Sequence, residues 1–253
     1  MRCVRAILLT ILLLVFTAGL VICFWPQLVG LRLGYEAHAA VSDFFELAEA
    51  GNTDVSEPYN VSIDYADAPD TTPVPTYQEL YAAMQGYNED IYATGQSGLC
   101  DAWSYQQPSF DLVSYGVESN TIGVINIPAM NVELPIYLGA TYDNMAAGAV
   151  HLSQTSLPIG GENTNCVIAA HRGWYGAPYF RYIDILKVGD EVHITNLWET
   201  LTYRVSEVKV IDPDDIDEIL IQPGRDMLTL LTCHPYASGG LYRYVVYCER
   251  VPS

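Results

Sequence analysis

The pattern of apolar and polar positions changes near residue 112. Before that point, residues 31–50 and 76–94 carry apolar side chains at three- and four-residue steps, which predicts two α-helices. Thr76 and Glu79 occupy the capping-box positions of the second helix. After that point, short runs rich in β-branched and aromatic residues alternate with turns, which is typical of an all-β barrel or sandwich.

The predicted organisation is therefore mainly β, with an α-helical N-terminal extension. The extension covers residues 26–111 and includes an acidic, proline-rich linker at 52–75. The β-domain covers residues 112–253, about 140 residues, an ordinary size for one domain. Residues 180–190 predict a short helix or turn between strands. The predicted strands cover residues 123–127, 134–137, 166–170, 191–195, 200–211, 227–232 and 241–251.

The N-terminus has the pattern of a membrane anchor. Residues 6–25 contain no charge and follow Arg2 and Arg5, so their length suits the hydrocarbon core of a bilayer. The two arginines favour a cytoplasmic segment at residues 1–5 and an extracellular remainder. A cleaved signal peptide is the alternative, but its apolar region is usually about 7–15 residues long. We expect a single-pass, uncleaved anchor with Trp25 at the outer interface.

Composition narrows the classes of function. The chain has 30 acidic and 11 basic residues, a net charge of −19, which argues against nucleic acid as a partner. No cysteine spacing matches a zinc site. The acidic segment 212–218 lacks the glycine and ligand order of a calcium loop, so no metal site is predicted. One disulfide among Cys100, Cys166 and Cys248 remains possible.

Cys233 and His234 stand together in the sequence TLLTCHPY and suggest a nucleophile with its base. The run before them predicts a strand that ends at the cysteine. Because neighbouring side chains of a strand point to opposite faces, His234 should point away from a cleft that Cys233 faces. The adjacent histidine is therefore a poor candidate for the base.

His171 has a more suitable context. It follows the apolar run NCVIAA and precedes RGWYGAP, so a predicted strand opens there into a glycine-rich loop. A nucleophilic cysteine requires a histidine elsewhere in the fold. The other histidines outside the anchor have weaker settings: His38 in the predicted first helix, His151 in AGAVHLSQTS and His193 on the solvent face of a strand.

Arg243 is the third candidate, in the strand that follows Cys233. A hairpin would place the two residues on neighbouring strands. A guanidinium beside a thiol favours the thiolate, and it can also stabilise an oxyanion on a carbonyl. The alternative is a surface arginine on an edge strand.

These residues resemble those of the sortases, exported cysteine transpeptidases of Gram-positive bacteria. The resemblance rests on TLLTC at a strand end, an arginine on the next strand and AAHRG upstream, and over residues 122–251 it is closest to the class C, pilin-polymerising group. It implies a closed sortase barrel. It also implies that Cys233 is the nucleophile, His171 the general acid/base and Arg243 the group that positions substrate and stabilises the oxyanion. Thr232, next to the nucleophile, would contact the substrate.

The resemblance further implies a reaction that needs no metal or cofactor. Cys233 would attack the Thr–Gly carbonyl of an LPxTG-like sorting signal and form a thioester. An amine, from a pilin lysine or a cell-wall cross-bridge, would then resolve it. The alternative is a non-catalytic surface barrel that binds a pilin or wall partner.

Class C sortases often carry a lid, a loop ahead of the barrel with an Asp-Pro-aromatic motif. Residues 99–108 contain Asp101-Ala102-Trp103, in which alanine replaces the proline. By resemblance, Asp101 would pair with Arg243 and Trp103 would cover Cys233. The alternative is a chance tripeptide in a loop.

Overall fold

The computed structural model describes residues 2–53 and 77–252 of the chain. Two long helices precede the barrel: α1 is Arg2–Thr53 and α2 is Tyr77–Ala93. The predicted anchor and the first predicted helix form one continuous helix, α1, and Pro26 lies within it. A proline removes one helical hydrogen bond, and here the flanking leucine-rich turns continue on both sides of it. Most of the predicted linker, and the predicted cap Thr76, lie outside the described residues.

The rest of the described chain forms a closed eight-stranded barrel, as the sequence predicts. The strand order is β1-β2-β3-β4-β7-β8-β6-β5, and β5 pairs with β1 to close the ring. The pairs β2–β3 and β4–β7 are parallel, and the others are antiparallel. The strands are β1 Thr121–Ile127, β2 Val132–Leu138, β3 Ala149–His151, β4 Thr164–Ala169, β5 Glu191–Thr195, β6 Thr200–Ile211, β7 Asp226–His234 and β8 Tyr242–Arg250.

Two short elements were not predicted from the sequence. Strand β3 has three residues, and helix α3, Tyr142–Ala147, has six. Both are too short to show a period of their own. The N-terminal cap of α3 is Thr141, whose side chain accepts a hydrogen bond from the backbone of Asn144.

The two long helices pack on the barrel through one face each. Ala37, Val41 and Phe44 of α1 are buried in the same core as β1 and β2. Their three- and four-residue spacing places them on one side of the helix. Asn88 of α2 bonds both backbone groups of Leu157, accepting from its N–H at 2.7 Å and donating to its carbonyl at 3.4 Å. Apolar burial and these hydrogen bonds therefore fix the helices to the barrel.

Candidate active site

The strand register brings the three candidate residues into one row. Each residue of β4 pairs with β7 at a constant interval up to Ala169 and Leu231. The same register continues beyond the ladder, where the Ala170 N–H donates to the Leu231 carbonyl at 3.2 Å. One further step places His171 beside Cys233. Cys233 in turn pairs with Arg243 of β8, so three adjacent strands supply the row.

The guanidinium of Arg243 lies against the thiol of Cys233. Nη1 of Arg243 is 3.9 Å from Sγ of Cys233, and it also donates to the carbonyls of Gly240 at 2.8 Å and Tyr242 at 3.2 Å. Gly240 has φ +85°, and a Cβ there would lie 3.2 Å from the sulfur and 3.1 Å from Nη1. A glycine at this turn therefore leaves the room in which the thiol and the guanidinium meet.

Asp101 and Trp103 lie over this row. The carboxylate of Asp101 accepts two hydrogen bonds from Arg243, at 2.6 Å from Nε and 2.7 Å from Nη2, the geometry of a bidentate pair. It also accepts from the backbone N–H of Trp103 at 3.1 Å, which caps a 3₁₀ turn at Ala102–Ser104. The Trp103 ring lies 4.6 Å from Arg243 Cζ, and its Nε1 donates to Nδ1 of His171 at 3.4 Å. One short segment thus contacts both the arginine and the histidine.

Trp174 supports His171 from the other side, and sequence reasoning missed it. The two rings stack with centroids 4.3 Å apart and planes 8° apart. Two backbone hydrogen bonds between Trp174 and Ala177, at 2.9 and 2.8 Å, close the turn that holds the ring. The sequence feature that could have indicated Trp174 is its position in RGWYGAP, a glycine-flanked turn directly after the histidine.

The covered site holds both the thiol and the imidazole neutral at pH 7. Burial lowers the pKa of His171 to about 4. Burial raises the pKa of Cys233 to about 11, although the charge of Arg243 opposes this shift, and the charge of Asp101 adds to it. Since the thiolate is the nucleophilic form, the covered site is in an unreactive protonation state.

His234 lies on the other face of the sheet, with its own partners. Arg172 donates from Nη1 to Nδ1 of His234 at 2.6 Å, and its Nη2 pairs with the Asp184 carboxylate at 2.8 Å. Arg172 Cζ also lies 5.5 Å from the centre of the Tyr244 ring. Burial, and then the charge of Arg172, lower the pKa of His234. The alternation of side chains along β7 therefore separates His234 from Cys233.

Thr232 is fully buried, with its hydroxyl donating to the carbonyl of Ala170 at 2.7 Å. This bond ties β7 to the residue before His171, and the predicted contact with substrate stays a prediction. His151 is fully buried in β3, where its Nε2 lies 3.2 Å from the Thr155 carbonyl and 3.0 Å from the Ser156 carbonyl. The cysteines with described side chains are unpaired: Cys23, Cys100, Cys166, Cys233 and Cys248.

A protein-family model, the sortase domain, matches residues 125–251. The chain belongs to the sortase family. It is 32% identical over 131 residues to sortase D of Bacillus subtilis, which covers 51% of this chain and 63% of that protein. It is 31% identical over 116 residues to sortase A of Streptococcus agalactiae, which covers 44% of this chain and 46% of that protein. The chain thus spans less than two thirds of the length of these curated relatives.

Solved structures show the same fold over more of this sortase. Sortase C1 of GBS pilus island 1 superposes with a TM-score of 0.68 at 31% identity, over 86% of this chain and 93% of that chain. Sortase C-1 from Actinomyces oris superposes with a TM-score of 0.62 at 32% identity, over 70% and 100% of the two chains. The predicted sortase barrel and the predicted resemblance to class C sortases are confirmed.

Proposed function

We propose that this sortase is a membrane-anchored cysteine transpeptidase that cleaves an LPxTG-like sorting signal and joins it to an amine, as in pilus subunit polymerisation. The observation that carries the proposal is the row of His171, Cys233 and Arg243 at the ends of three adjacent strands. A thiol, an imidazole and a guanidinium on one face are the groups that acyl transfer through a thioester requires.

In the first half-reaction, the Cys233 thiol gives its proton to His171 and attacks the Thr–Gly carbonyl carbon. The carbonyl oxygen gains negative charge, and the guanidinium of Arg243 stabilises it. When the C–N bond breaks, the imidazolium of His171 returns the proton to the departing glycine amine. The product is a thioester between the threonine carbonyl and Cys233.

In the second half-reaction, an acceptor amine attacks the thioester carbon. His171 takes a proton from the amine and returns one to the departing thiolate, so Cys233 is regenerated as a thiol. A pilin lysine or a cell-wall cross-bridge amine has the required chemistry. Pilus-related sortases of Group B Streptococcus have the same fold, which supports the pilin lysine.

The segment at 99–108 is proposed to be a lid that must move before substrate enters. Asp101 occupies Nε and Nη2 of Arg243, the two donors that a substrate carbonyl would otherwise reach. Trp103 contacts both Arg243 and His171. Moving this segment removes the carboxylate that raises the pKa of Cys233 and reduces the burial that lowers the pKa of His171.

Anchoring by α1 is part of the same proposal. One helix long and apolar enough to cross a membrane was found in the described residues, at Ile7–Ala50. We assign residues 6–25 to the membrane, 1–5 to the cytoplasm, 26–111 to the extracellular extension and 112–253 to the catalytic barrel. Arg2 and Arg5, directly before the proposed span, support this orientation.

The decisive experiment incubates the full chain with an LPxTG-type peptide and a primary amine and measures the protein by mass spectrometry. We expect a thioester adduct on Cys233 and an amine-linked product. Cys233→Ala should abolish both, whereas Cys100→Ser, at another partly exposed cysteine, should retain them. An adduct that survives in Cys233→Ala would refute the assignment. Peptide binding without any adduct in either protein would instead favour a non-catalytic barrel.

A further inference from the structure

The membrane-proximal part of α1 touches the loop that supports the active-site histidine. A Cβ on Gly176, at φ +92°, would lie 2.6 Å from the carbonyl oxygen of Pro26, and a Cβ on Gly30 would lie 2.7 Å from the carbonyl carbon of Gly176. The two backbones therefore approach each other as closely as only paired glycines permit. Gly176 belongs to the turn that Trp174 and Ala177 close beside His171.

This contact is fixed because α1 packs firmly on the barrel further along its length. Ala37, Val41 and Phe44 are buried in the barrel core, about two to five turns beyond Pro26 and Gly30. A helix held at successive turns cannot rotate or slide without breaking that packing. The height of the Gly176 loop above the membrane is therefore set by the position of Pro26 in the bilayer.

That height lies within the headgroup layer. Pro26 directly follows the proposed membrane span, and Gly30 is about 6 Å further along the helix at 1.5 Å per residue. The polar layer on each side of a bilayer is about 5–8 Å thick, from a total of about 40–45 Å and a core of about 30 Å. A loop in contact with both Pro26 and Gly30 therefore lies in this layer.

The loop and the neighbouring helix α3 together present side chains that suit such a layer. Tyr175 is 59% exposed and Tyr142 is 56% exposed. Trp174 lies between them, with ring centroids 4.9 Å from Tyr175 and 6.3 Å from Tyr142, and Tyr105 extends the chain of rings at 5.7 Å from Tyr142. Tyrosine and tryptophan prefer the membrane–water interface, because one end of each ring system is apolar and the other is polar.

We infer that the face formed by Tyr142, Trp174 and Tyr175, here termed the aromatic face, docks on the phospholipid headgroup layer beside α1. The inference rests on the proposed anchoring by residues 6–25. The aromatic rings enter the boundary between headgroups and acyl chains, so the catalytic barrel is held against the membrane by α1 and by this face. His171 stacks on Trp174, one ring beneath the docked surface, and the mouth of the active site therefore opens at the headgroup layer.

Quenching of tryptophan fluorescence by brominated lipid tests this docking. The full chain, with Trp25→Phe to remove the tryptophan of the anchor, is reconstituted in phosphatidylcholine vesicles. The acyl chains of the lipid are brominated near the headgroup in one sample and unmodified in the other. We expect brominated lipid to remove most of the emission that Trp174 contributes, which is obtained by subtracting the spectrum of a variant that also carries Trp174→Phe.

Matched variants give the controls. The rings of Trp198 and Tyr81 have centroids 4.9 Å apart and lie away from the aromatic face. Brominated lipid should therefore not quench the emission that Trp198 contributes, obtained by subtracting the spectrum of Trp198→Phe. Tyr175→Asp places a charge in the aromatic face and should reduce the quenching of Trp174. Tyr92→Asp changes an exposed tyrosine that shares a pocket with Thr164, at the opposite end of β4, and should leave it unchanged.

The outcomes separate docking from catalysis and from anchoring. Quenching requires no turnover, so Cys233→Ala should show the quenching of the reference protein even though it forms no thioester. A chain that floats with the vesicles but whose Trp174 emission is unaffected by brominated lipid overturns the inference alone. A chain that does not float with the vesicles overturns the anchoring and the docking together.

Discussion

Two buried arginines lie on opposite faces of the sheet, at the edge where β4 and β7 end and β8 begins. The side chain of Arg243 is 7% exposed and pairs with Asp101, and that of Arg172 is 6% exposed and pairs with Asp184. Each arginine also contacts one member of the adjacent pair Cys233–His234. The two faces therefore have similar charges but different partners.

The difference lies in where each carboxylate comes from. Asp101 belongs to a segment ahead of the barrel and is 15% exposed, whereas Asp184 lies in the 3₁₀ turn Ile183–Ile185 of the barrel and is 52% exposed. A carboxylate on a separate segment can leave its arginine without unfolding the barrel. The Arg243 pair therefore suits a switch, and the Arg172 pair suits a fixed structural contact.

The largest expected difference between the two faces is in the transpeptidation rate when each histidine is replaced by asparagine. His171→Asn should lower the transpeptidation rate by about 10²–10⁴-fold, because it removes the proposed general acid/base. His234→Asn should change the rate by much less, since that ring contacts Arg172 on the other face. Steady-state assays with peptide and amine measure both. Equal losses in the two variants would contradict the assignment.

The next largest difference is between Asp101 and Asp184 in their effect on the reactivity of the Cys233 thiol. Asp101→Asn should lower the pKa of Cys233, because the charge of Asp101 raises it, and one pKa unit gives about tenfold more thiolate near pH 7. The rate of Cys233 labelling by a thiol reagent should rise accordingly, and its pH profile should shift to lower pH. Trp103→Ala should also increase labelling, because it uncovers the site. Asp184→Asn is the control, and a matching increase there would show that Asp101 and Trp103 of the proposed lid have no special role.

The fixed contact should show its effect in stability. Arg172→Met removes the donors to His234 and Asp184 and should lower the free energy of unfolding by about 1–2 kcal/mol. Asp184→Asn should cost less than about 1 kcal/mol, because the carboxylate is half-exposed. Denaturant unfolding of the two variants measures the difference. No loss in Arg172→Met would remove the structural role of this pair.

The last expected effect is in the pH dependence of stability. The pKa of His171 is about 4 in the folded protein against 6.5 for the ordinary side chain, so folding favours the neutral ring. This contribution is complete above pH 6.5 and decreases as the pH falls towards 4. The Tm of wild type should therefore fall more between pH 7 and pH 5 than the Tm of His171→Asn. Parallel Tm curves would show that His171 is not buried as described.

Much of the fold follows from sequence patterns because most strands are long enough to show them. Strands β5 and β6 have the predicted bounds. Strand β1 begins two residues before its predicted start, and β2, β4, β7 and β8 differ from the prediction by one or two residues at each end. Strand β3 and helix α3 were missed because three and six residues carry no period. The continuity of α1 through Pro26 depends on helix-forming residues on both sides, which a single proline does not outweigh.

In the candidate site, only residues that combine a reactive side chain with a recognisable strand or hairpin pattern could be predicted from the sequence. Strand alternation separated His234 from Cys233, and the hairpin placed Arg243 beside Cys233. The stacking of Trp174 on His171 and the ion pair of Arg172 with Asp184 depend on how loops return to the sheet. No local period encodes such a return, so these contacts appear only in three dimensions.

Closure of the barrel restricts how a peptide can be recognised. Because β5 pairs with β1, the ring of strands leaves no open edge to which an extended peptide could add as a further strand. The proposed sorting signal would therefore lie across the strand ends and be read by side chains and loop backbone. Specificity among related sortases can thus change by altering loops around an unchanged ring of strands.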